Sequence, residues 1–373
     1  RPLLITAMIA VVYFLFLEWN EFQQRTQPET ASVSTETLLS ESIDQAAPTV
    51  TEDHDSIPQP VVTAPKQEDI VEPATQASLI RVETDVLEVL IDTRGGDIVK
   101  TGLLQHRVSQ DEGSPPFVLL NRTASGTYIA QSGLIGANGT DSNNGRPLFS
   151  AQQSEYSMTE GSDELVVKLR YQQADVIIEK QYIFRRGDYL VDLVYQVNNQ
   201  SQQDWTAGLF GQIKRDSKAV KTTGGAIAAQ PFLGAALHSK DENYKKMDFE
   251  DIAEKSFSEV VNGGWVAMVQ HYFVSAWIPD QSQQNTFSVR KLGGRDLYTM
   301  GFTTPQQTIA SGEKAELTAA FYVGPKDQYR MAEISPYLDL TIDYGILWWA
   351  AKPLFWLLHK FHDYVGNWGW AII

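Results

Sequence analysis

Short segments in which apolar and polar residues alternate dominate the chain after about residue 78. Four of them, residues 87–91, 164–171, 175–184 and 189–197, are rich in Val, Ile, Leu and Tyr. A period of two places successive side chains on opposite faces, so each segment predicts a half-buried β-strand. Turn residues separate such runs at Gly95-Gly96, Asn138-Gly139, Arg186-Gly187-Asp188 and Gly293-Gly294. Because amphipathic helices do not alternate with these strands, the pattern favours a large antiparallel β-sandwich over an α/β fold.

The predicted strand region spans residues 78–326. One helix is expected inside it, at residues 244–255, where Tyr244, Met247 and Ile252 lie among charged neighbours. The aromatic run from Gly264 continues the β pattern, and we predict that His271 within it is a core or groove histidine. Gly324-Pro325 ends the pattern, since proline cannot donate to a ladder.

Residues 1–24 predict a transmembrane anchor. Leu3 to Leu17 is apolar except for Thr6, and as a helix it would rise about 22 Å against a hydrocarbon core of about 30 Å. Because the chain opens at Arg1, we expect further residues upstream. A cleaved signal peptide is the alternative, but no small-residue cleavage pattern follows the run. Arg1 before the run and acidic residues after it predict a cytoplasmic N-terminus, with everything downstream outside.

Residues 25–77 predict a disordered acidic linker. From residue 27 to about residue 76 they contain no aromatic residue, and Lys66 is the only Lys or Arg. Such a composition buries too little apolar surface to offset chain entropy.

Residues 327–365 predict a helical segment with an amphipathic helix at the membrane interface. Lys352, His359 and Asp363 form one narrow polar stripe at 100° per residue, and apolar residues fill the other faces. Tryptophan and snorkelling lysine are typical of helices that lie in the headgroup region. An ordinary domain-packing helix is the alternative. The residues predicted to contact the membrane are Trp348, Trp349, Lys352, Phe355, Trp356, His359 and Lys360. Residues 366–373 predict the start of a second transmembrane span, truncated at Ile373.

Composition excludes several classes of function. The formal net charge is −16, which gives no basic footprint for nucleic acid. The absence of Cys removes disulfides, thiolate metal sites and a cysteine nucleophile. Phosphate-loop, dinucleotide, zinc-protease and nucleophile-elbow motifs do not occur. We therefore predict no catalytic residues, no enzymatic activity, no cofactor and no metal.

Six short motifs occur in a fixed order along the chain. They are Leu17-Glu18-Trp19-Asn20, Asp92-Thr93-Arg94-Gly95-Gly96-Asp97, Gly263-Gly264-Trp265-Val266-Ala267-Met268-Val269-Gln270-His271-Tyr272-Phe273, Phe321-Tyr322-Val323-Gly324-Pro325-Lys326, Leu338-Asp339-Leu340-Thr341-Ile342-Asp343-Tyr344-Gly345 and Val365-Gly366-Asn367-Trp368-Gly369. Together they resemble the N-terminal portion of the YidC membrane protein insertases, the Oxa-type insertase family. Order and spacing agree along the whole chain, and the set is specific although each motif alone is weak.

The resemblance implies an anchor, an acidic linker, a large periplasmic β-supersandwich, an interfacial helix and the first of several core spans. It also implies a multi-pass protein of the bacterial inner membrane that assists insertion and folding of nascent inner-membrane proteins, alone or with the Sec translocon and its accessory subunits. The family's hydrophilic groove, with an Arg in the second span, would follow Ile373, so we expect this chain to lack it.

Two alternatives remain. A supersandwich also resembles sugar-mutarotase folds, so the chain could be a membrane-tethered carbohydrate-binding or sugar-isomerising module, whose chemistry needs a His and a carboxylate on a concave face. The other alternative is a periplasmic scaffold or holdase without an insertion role.

Overall fold

The computed structural model describes residues 58, 78–124, 126–142, 145–218, 232–342, 357–358 and 360–372. The predicted anchor, nearly all of the predicted linker and most of the predicted amphipathic helix lie outside these residues. Among the described residues, no helix is both long enough and apolar enough to cross a bilayer.

The described residues form a mainly β structure of twenty strands. The first ten are β1 (Leu79–Glu83), β2 (Leu87–Asp92), β3 (Asp97–Arg107), β4 (Pro116–Thr123), β5 (Gly126–Ile135), β6 (Ser150–Ala151), β7 (Glu155–Ser157), β8 (Glu164–Gln173), β9 (Val176–Arg185) and β10 (Leu190–Asn199). The others are β11 (Trp205–Arg215), β12 (Gly234–Leu237), β13 (Lys245–Asp248), β14 (Phe257–Asn262), β15 (Val266–Val269), β16 (Phe273–Pro279), β17 (Gln284–Lys291), β18 (Tyr298–Thr303), β19 (Gln307–Ile309) and β20 (Lys314–Pro325).

Helices are few and short in this part of the chain. They are α1 (Phe249–Glu254), α2 (Gln328–Ile334), a 3-10 turn (Leu338–Thr341) and α3 (Trp368–Ile372). Residues 360–365 are also helical.

The strands form two large sheets. The first sheet has the order β14-β17-β18-β11-β5-β4-β3-β2-β1-β7, with β19 paired to β11, and the second has the order β13-β12-β15-β16-β20-β10-β9-β8-β6. Among the described strands every pairing is antiparallel except that of β1 with β7, which is parallel. The predicted antiparallel sandwich is confirmed, as are the four strands predicted from alternation.

The two sheets pack face to face over one large apolar core. Val82 and Val89 of the first sheet belong to the same buried cluster as Val167 and Leu169 of the second. A hydrogen bond of 2.6 Å between the Tyr128 and Ser275 hydroxyls also joins the sheets. Burial alternates along the strands because alternate side chains face this core.

The predicted turns are present, and a positive φ angle explains why glycine occurs in two of the hairpins. Gly187 connects β9 to β10 at φ +70°, and Gly293 connects β17 to β18 at φ +46°. An L-residue with a Cβ rarely adopts these values, so glycine is the favoured residue in both hairpins.

The predicted helix at residues 244–255 is too long. Residues Lys245–Asp248 instead form edge strand β13, which places Met247 in the core and leaves only Phe249–Glu254 helical. Asp248 accounts for this start, since its side chain accepts hydrogen bonds from the backbone N–H groups of Glu250 and Asp251 as an N-cap.

The prediction for His271 is wrong. The aromatic run forms two strands, β15 and β16, and His271 lies exposed in the turn between them rather than in the core or in a groove. The backbone N–H of Gln270 donates to the Phe273 carbonyl across the turn at 3.0 Å. A tight reversal between two apolar runs looks like one long strand when only composition is considered.

A second apolar cluster lies on the outer face of the second sheet. Trp265, Ala267 and Val269 belong to it, whereas Val266 and Met268 face the main core, as strand alternation requires. The cluster includes Met331 of α2 and Leu338 of the 3-10 turn. The segment after β20 therefore covers this face.

Candidate functional site

The seven predicted membrane-contact residues fall mostly outside the described part of the chain. Those outside it are Trp348, Trp349, Lys352, Phe355, Trp356 and His359. Lys360 is described, and it is exposed in the helical stretch of residues 360–365.

The described residues beyond 356 expose many apolar side chains, and Tyr364 is 95% exposed. The surfaces of soluble proteins seldom expose apolar side chains at this density, whereas interfacial or membrane-associated segments do. Gly366 separates the helical stretch from α3 at φ +67°. The exposed apolar residues are Leu357, Phe361, Tyr364, Val365, Trp370 and Ile372.

Helix α2 attaches this C-terminal segment to the sandwich. Asp327 caps it by accepting hydrogen bonds from the backbone N–H groups of Tyr329 and Arg330. Arg330 then reaches the β9–β10 turn, where its Nη2 lies 2.6 Å from Asp188 Oδ2 and its Nε lies 3.3 Å from Oδ1. Met331 is fully buried beneath the helix. Charge pairing and burial together fix the helix on the sheet.

The residues after α2 are held by polar contacts at the other end of β15. Trp265 Nε1 donates to the Pro336 carbonyl at 3.1 Å, and Ser335 Oγ donates to Gln281 Oε1 at 3.3 Å. Tyr337 has left-handed backbone angles, with φ +67°, and meets the His238 ring edge-on at 5.5 Å between centroids. These contacts fix the chain up to about Ile342, where the predicted interfacial segment follows.

A buried polar centre lies between the two sheets, and sequence analysis did not predict it. Arg146 forms an ion pair with Asp97, a 2.7 Å bond from Nε to Asp141 Oδ1, and a 2.8 Å bond from Nη2 to the Ser132 carbonyl. The Asp97 and Asp141 side chains are 6% and 1% exposed. Burial by itself lowers the pKa of Arg146, but the two carboxylates outweigh it and raise that pKa.

Lys180 enters this centre from β9. Its Nζ donates to the carbonyls of Gly95, Gly96 and Ser132 at 2.9, 2.8 and 3.2 Å. Burial lowers the pKa of Lys180 to about 7; Asp97 opposes that shift and Arg146 adds to it. The motif from Asp92 to Asp97 thus has a structural role, since its glycine carbonyls and its final carboxylate build the polar centre.

Two signals in the sequence point to this centre. Lys180 occupies an inward position of β9, between the buried residues Ile178 and Tyr182. A charged residue in an inward register is informative, because such residues are buried only when they have partners. Asp97 follows the double-glycine turn directly, but the sequence does not show that Arg146 pairs with it.

Replacing Lys180 by Met tests its protonation state. In the native chain its pKa is about 7, whereas the unfolded side chain has the ordinary value of 10.5. Between pH 7 and pH 10.5 Lys180 is protonated in the unfolded state and neutral in the folded state. The free energy of unfolding of the wild type should therefore rise by about 1.4 kcal/mol per pH unit relative to that of the variant. Below pH 7 the difference should be flat. Urea unfolding of both proteins from pH 6 to pH 9.5 measures it, and a difference independent of pH above 7 would show that the ammonium persists.

Three of the described histidines do not form the pair that the sugar-isomerising alternative requires. His106 packs on Phe273 at 5.6 Å, His238 packs on Tyr337, and His271 lies beside Tyr272. None of these three hydrogen-bonds a carboxylate in the described structure. Burial lowers the pKa of His238, with Glu259 acting in the opposite direction.

Two open clefts mark the described surface. The larger, of about 380 Å³, lies beside the β16–β17 turn and is polar. The smaller, of about 320 Å³, is lined by Ser78, Ile80, Thr93 and residues 149–154. The described residues contain no cluster of three or more metal-ligating side chains.

The chain is similar to one family of proteins along most of its length. The family model described as YidC periplasmic domain matches residues 79–357. Two relatives named "Membrane protein insertase YidC" match the whole chain and 66% of their own length: that of Cellvibrio japonicus, at 48% identity, and that of Stutzerimonas stutzeri, at 42%. The chain belongs to the YidC periplasmic domain family and spans just under two thirds of these relatives.

Solved structures are more distant. A galactose mutarotase-like protein from Lactobacillus casei covers 66% of this chain at 10% identity, with all of its own length matched and a TM-score of 0.44. A putative aldose 1-epimerase from Escherichia coli covers 66% of the chain and 99% of its own, at 8% identity and a TM-score of 0.39. Similarity at this level says nothing about activity.

Proposed function

We propose that this chain is the periplasmic, membrane-anchored part of an insertase that assists insertion and folding of nascent inner-membrane proteins, alone or with the Sec translocon and its accessory subunits. Matches over the whole of this chain to relatives named as membrane protein insertases carry the proposal. The protein would be a multi-pass protein of the bacterial inner membrane, with the sandwich in the periplasm.

The chain's own contribution would be positioning and partner contact, without covalent catalysis or a cofactor. The α2 contacts with Asp188 and the Trp265 contact with Pro336 support this role, because they fix the segment after β20 on the sandwich just before the predicted interfacial helix. A rigid attachment of this kind sets the distance between the sandwich and the bilayer. The groove that moves polar client segments would lie in the third of the relatives that this chain does not span.

The predicted interfacial helix would carry the membrane contact. Its proposed contact residues are Trp348, Trp349, Lys352, Phe355, Trp356, His359 and Lys360. The exposed apolar side chains just beyond it support this proposal, since Phe361 is 51% exposed and Trp370 is 71% exposed. Each apolar side chain that enters the interface contributes through the area it removes from water.

A chimera tests the proposed function. The chain replaces the matching 66% of the Cellvibrio japonicus relative, and the chimera is expressed in cells depleted of their own insertase. We expect it to restore growth and insertion of a small reporter membrane protein, measured by protease protection of the reporter. The chain by itself should not restore insertion, because the remaining third of the relative is absent.

A matched pair of chimera variants tests whether the membrane-contact residues are needed for insertion. Trp348, Phe355 and Trp356 are changed to Glu in one chimera, and the exposed polar residues Gln152, Gln153 and Glu160 are changed to Ala in the other. The first should lose insertion and the second should keep it. Restoration by the chain without the relative's remaining third would instead support the scaffold or holdase alternative.

A further inference from the structure

The first sheet contains a gap beside β19. Strand β17 starts at Gln284, but its pairing with β18 goes only as far as Thr286 opposite Thr303. In this register Asn285 would lie opposite Thr304 and Gln284 opposite Pro305, which has no N–H to donate. Beyond it, β19 pairs with β11 and with no other described strand. The ladder therefore stops, and the larger cleft lies at this point.

The backbone of Thr308 faces the gap. Its partner in β11 is Thr206, whose backbone N–H and C=O both bond to Asn138 on the opposite side, at 2.9 and 3.1 Å. In an antiparallel ladder this makes Thr206 and Thr308 a non-hydrogen-bonded pair. The N–H and C=O of Thr308 consequently point away from β11, toward the free edge.

The backbone of Gln284 faces the gap from the other side. The C=O of the neighbouring residue Gln283 accepts a hydrogen bond from the Gly263 N–H at 2.8 Å, so Gln283 and Gly263 form a hydrogen-bonded pair. In the same register Gln284 lies opposite Asn262. Hydrogen-bonded and non-hydrogen-bonded pairs alternate, so the polar groups of Gln284 point away from β14. Two strand edges with outward-facing backbone groups thus border one cleft.

The cleft lining is polar and acidic. Its charged members are Asp280 and Glu316, and its lining includes no Lys, Arg or His. Hydrogen bonds from the Ser282 backbone N–H and hydroxyl lower the pKa of Asp280, which keeps it ionised at neutral pH. Amide and hydroxyl side chains supply further hydrogen-bonding groups, from Gln283, Gln284, Gln306, Gln307, Thr304 and Thr318.

We propose that this cleft is a strand-addition site that takes an extended segment of a periplasmic partner protein bearing Lys or Arg. Main-chain groups of the segment would pair with Thr308 and Gln284, and its basic side chains would meet Asp280 and Glu316. Translocated flanks of membrane proteins are poor in Lys and Arg, which favours a partner protein over a client. The site uses residues of the sandwich alone, whereas the choice of a partner protein over a client rests on the proposed insertase function.

Fluorescence anisotropy with two synthetic peptides tests the site on the full chain in detergent micelles. One fluorescein-labelled nonapeptide alternates Thr and Lys, and the other alternates Thr and Glu. We expect the Lys peptide to bind at least about tenfold more tightly. Because the chain has a net charge of −16, non-specific attraction must be separated from strand addition.

Two variants at one position make this separation. Thr308→Pro removes the N–H that faces the gap together with the hydroxyl that lies 3.0 Å from the Thr206 hydroxyl, and proline is tolerated on an edge strand. Thr308→Val also removes that hydroxyl but keeps the N–H. We expect Thr308→Pro to lose about tenfold in affinity for the Lys peptide and Thr308→Val to keep wild-type affinity. Circular dichroism checks folding, and Gln284→Pro replaces Thr308→Pro if the latter unfolds.

Three results would overturn the proposal: wild-type affinity in the folded proline variant, equal binding of the two peptides, or displacement of the Lys peptide by excess galactose. A failure here accompanied by a working chimera would leave the insertase proposal intact. The reverse outcome would leave the strand-addition site intact.

Discussion

Replacing Arg146 by Met should lower the free energy of unfolding by about 3–5 kcal/mol, as is typical when one member of a buried ion pair is removed. Arg146 serves three acceptors with three different nitrogens, and its side chain is 12% exposed. The variant leaves Asp97 and Asp141 buried without their cation. Urea unfolding followed by tryptophan fluorescence measures the loss.

An exposed ion pair provides the control. Lys168 and Glu179 lie 3.2 Å apart, but the Lys168 side chain is 53% exposed. Lys168→Met should change the free energy of unfolding by about 1 kcal/mol or less, because water screens the pair. Equal losses in the two variants would mean that burial does not set the strength of the polar centre.

Replacing Trp277 by Ala should cost about 3–5 kcal/mol, the range for a large aromatic residue lost from a core. Trp277 is 1% exposed and packs against Phe321 at 4.7 Å and against Phe302 of the other sheet at 6.1 Å between ring centroids. A Cβ at Gly211 would lie 2.8 Å from its ring, so β11 approaches the indole closely. Truncation leaves a cavity between the sheets that this packing cannot readily fill.

The matched control is Tyr272→Ala in the β15–β16 turn, where the side chain is 68% exposed. That variant should change stability by about 0.5 kcal/mol or less. Thermal unfolding by circular dichroism avoids dependence on the removed fluorophore. A loss below about 1 kcal/mol for Trp277→Ala would contradict the assignment of this indole to the inter-sheet core.

The strands could be predicted because the chemistry that specifies them is local. In β9, burial alternates from Val176 to Phe184 except at Gln181, an outward residue that is also buried. The exact length of the helix near residue 250 could not be predicted in the same way, since β13 forms only by pairing with β12. A four-residue edge strand depends on its neighbour more than on its own composition.

The polar centre and the cleft depend on contacts between residues far apart in the chain. Arg146 and Asp97 are 49 positions apart, and Lys180 and Gly95 are 85 apart. The sequence shows a lysine in an inward register but not the three carbonyls that it meets. The gap beside β19 could not be predicted from sequence patterns either. It arises because the ladder between β17 and β18 ends near Pro305 and β11 then pairs with β19 instead of β18.

We propose that residues 348–360 hold the sandwich at the membrane surface. Because the chain has no Cys, single cysteines can be placed at each position from 346 to 360 and spin-labelled in the full chain within anionic vesicles. Electron paramagnetic resonance then compares collisions with oxygen and with a water-soluble nickel chelate. We predict an oscillation with a period of about 3.6 residues, with positions 347, 354 and 358 facing lipid and positions 352 and 359 facing water. Uniform access of the nickel chelate along the segment would contradict the claim.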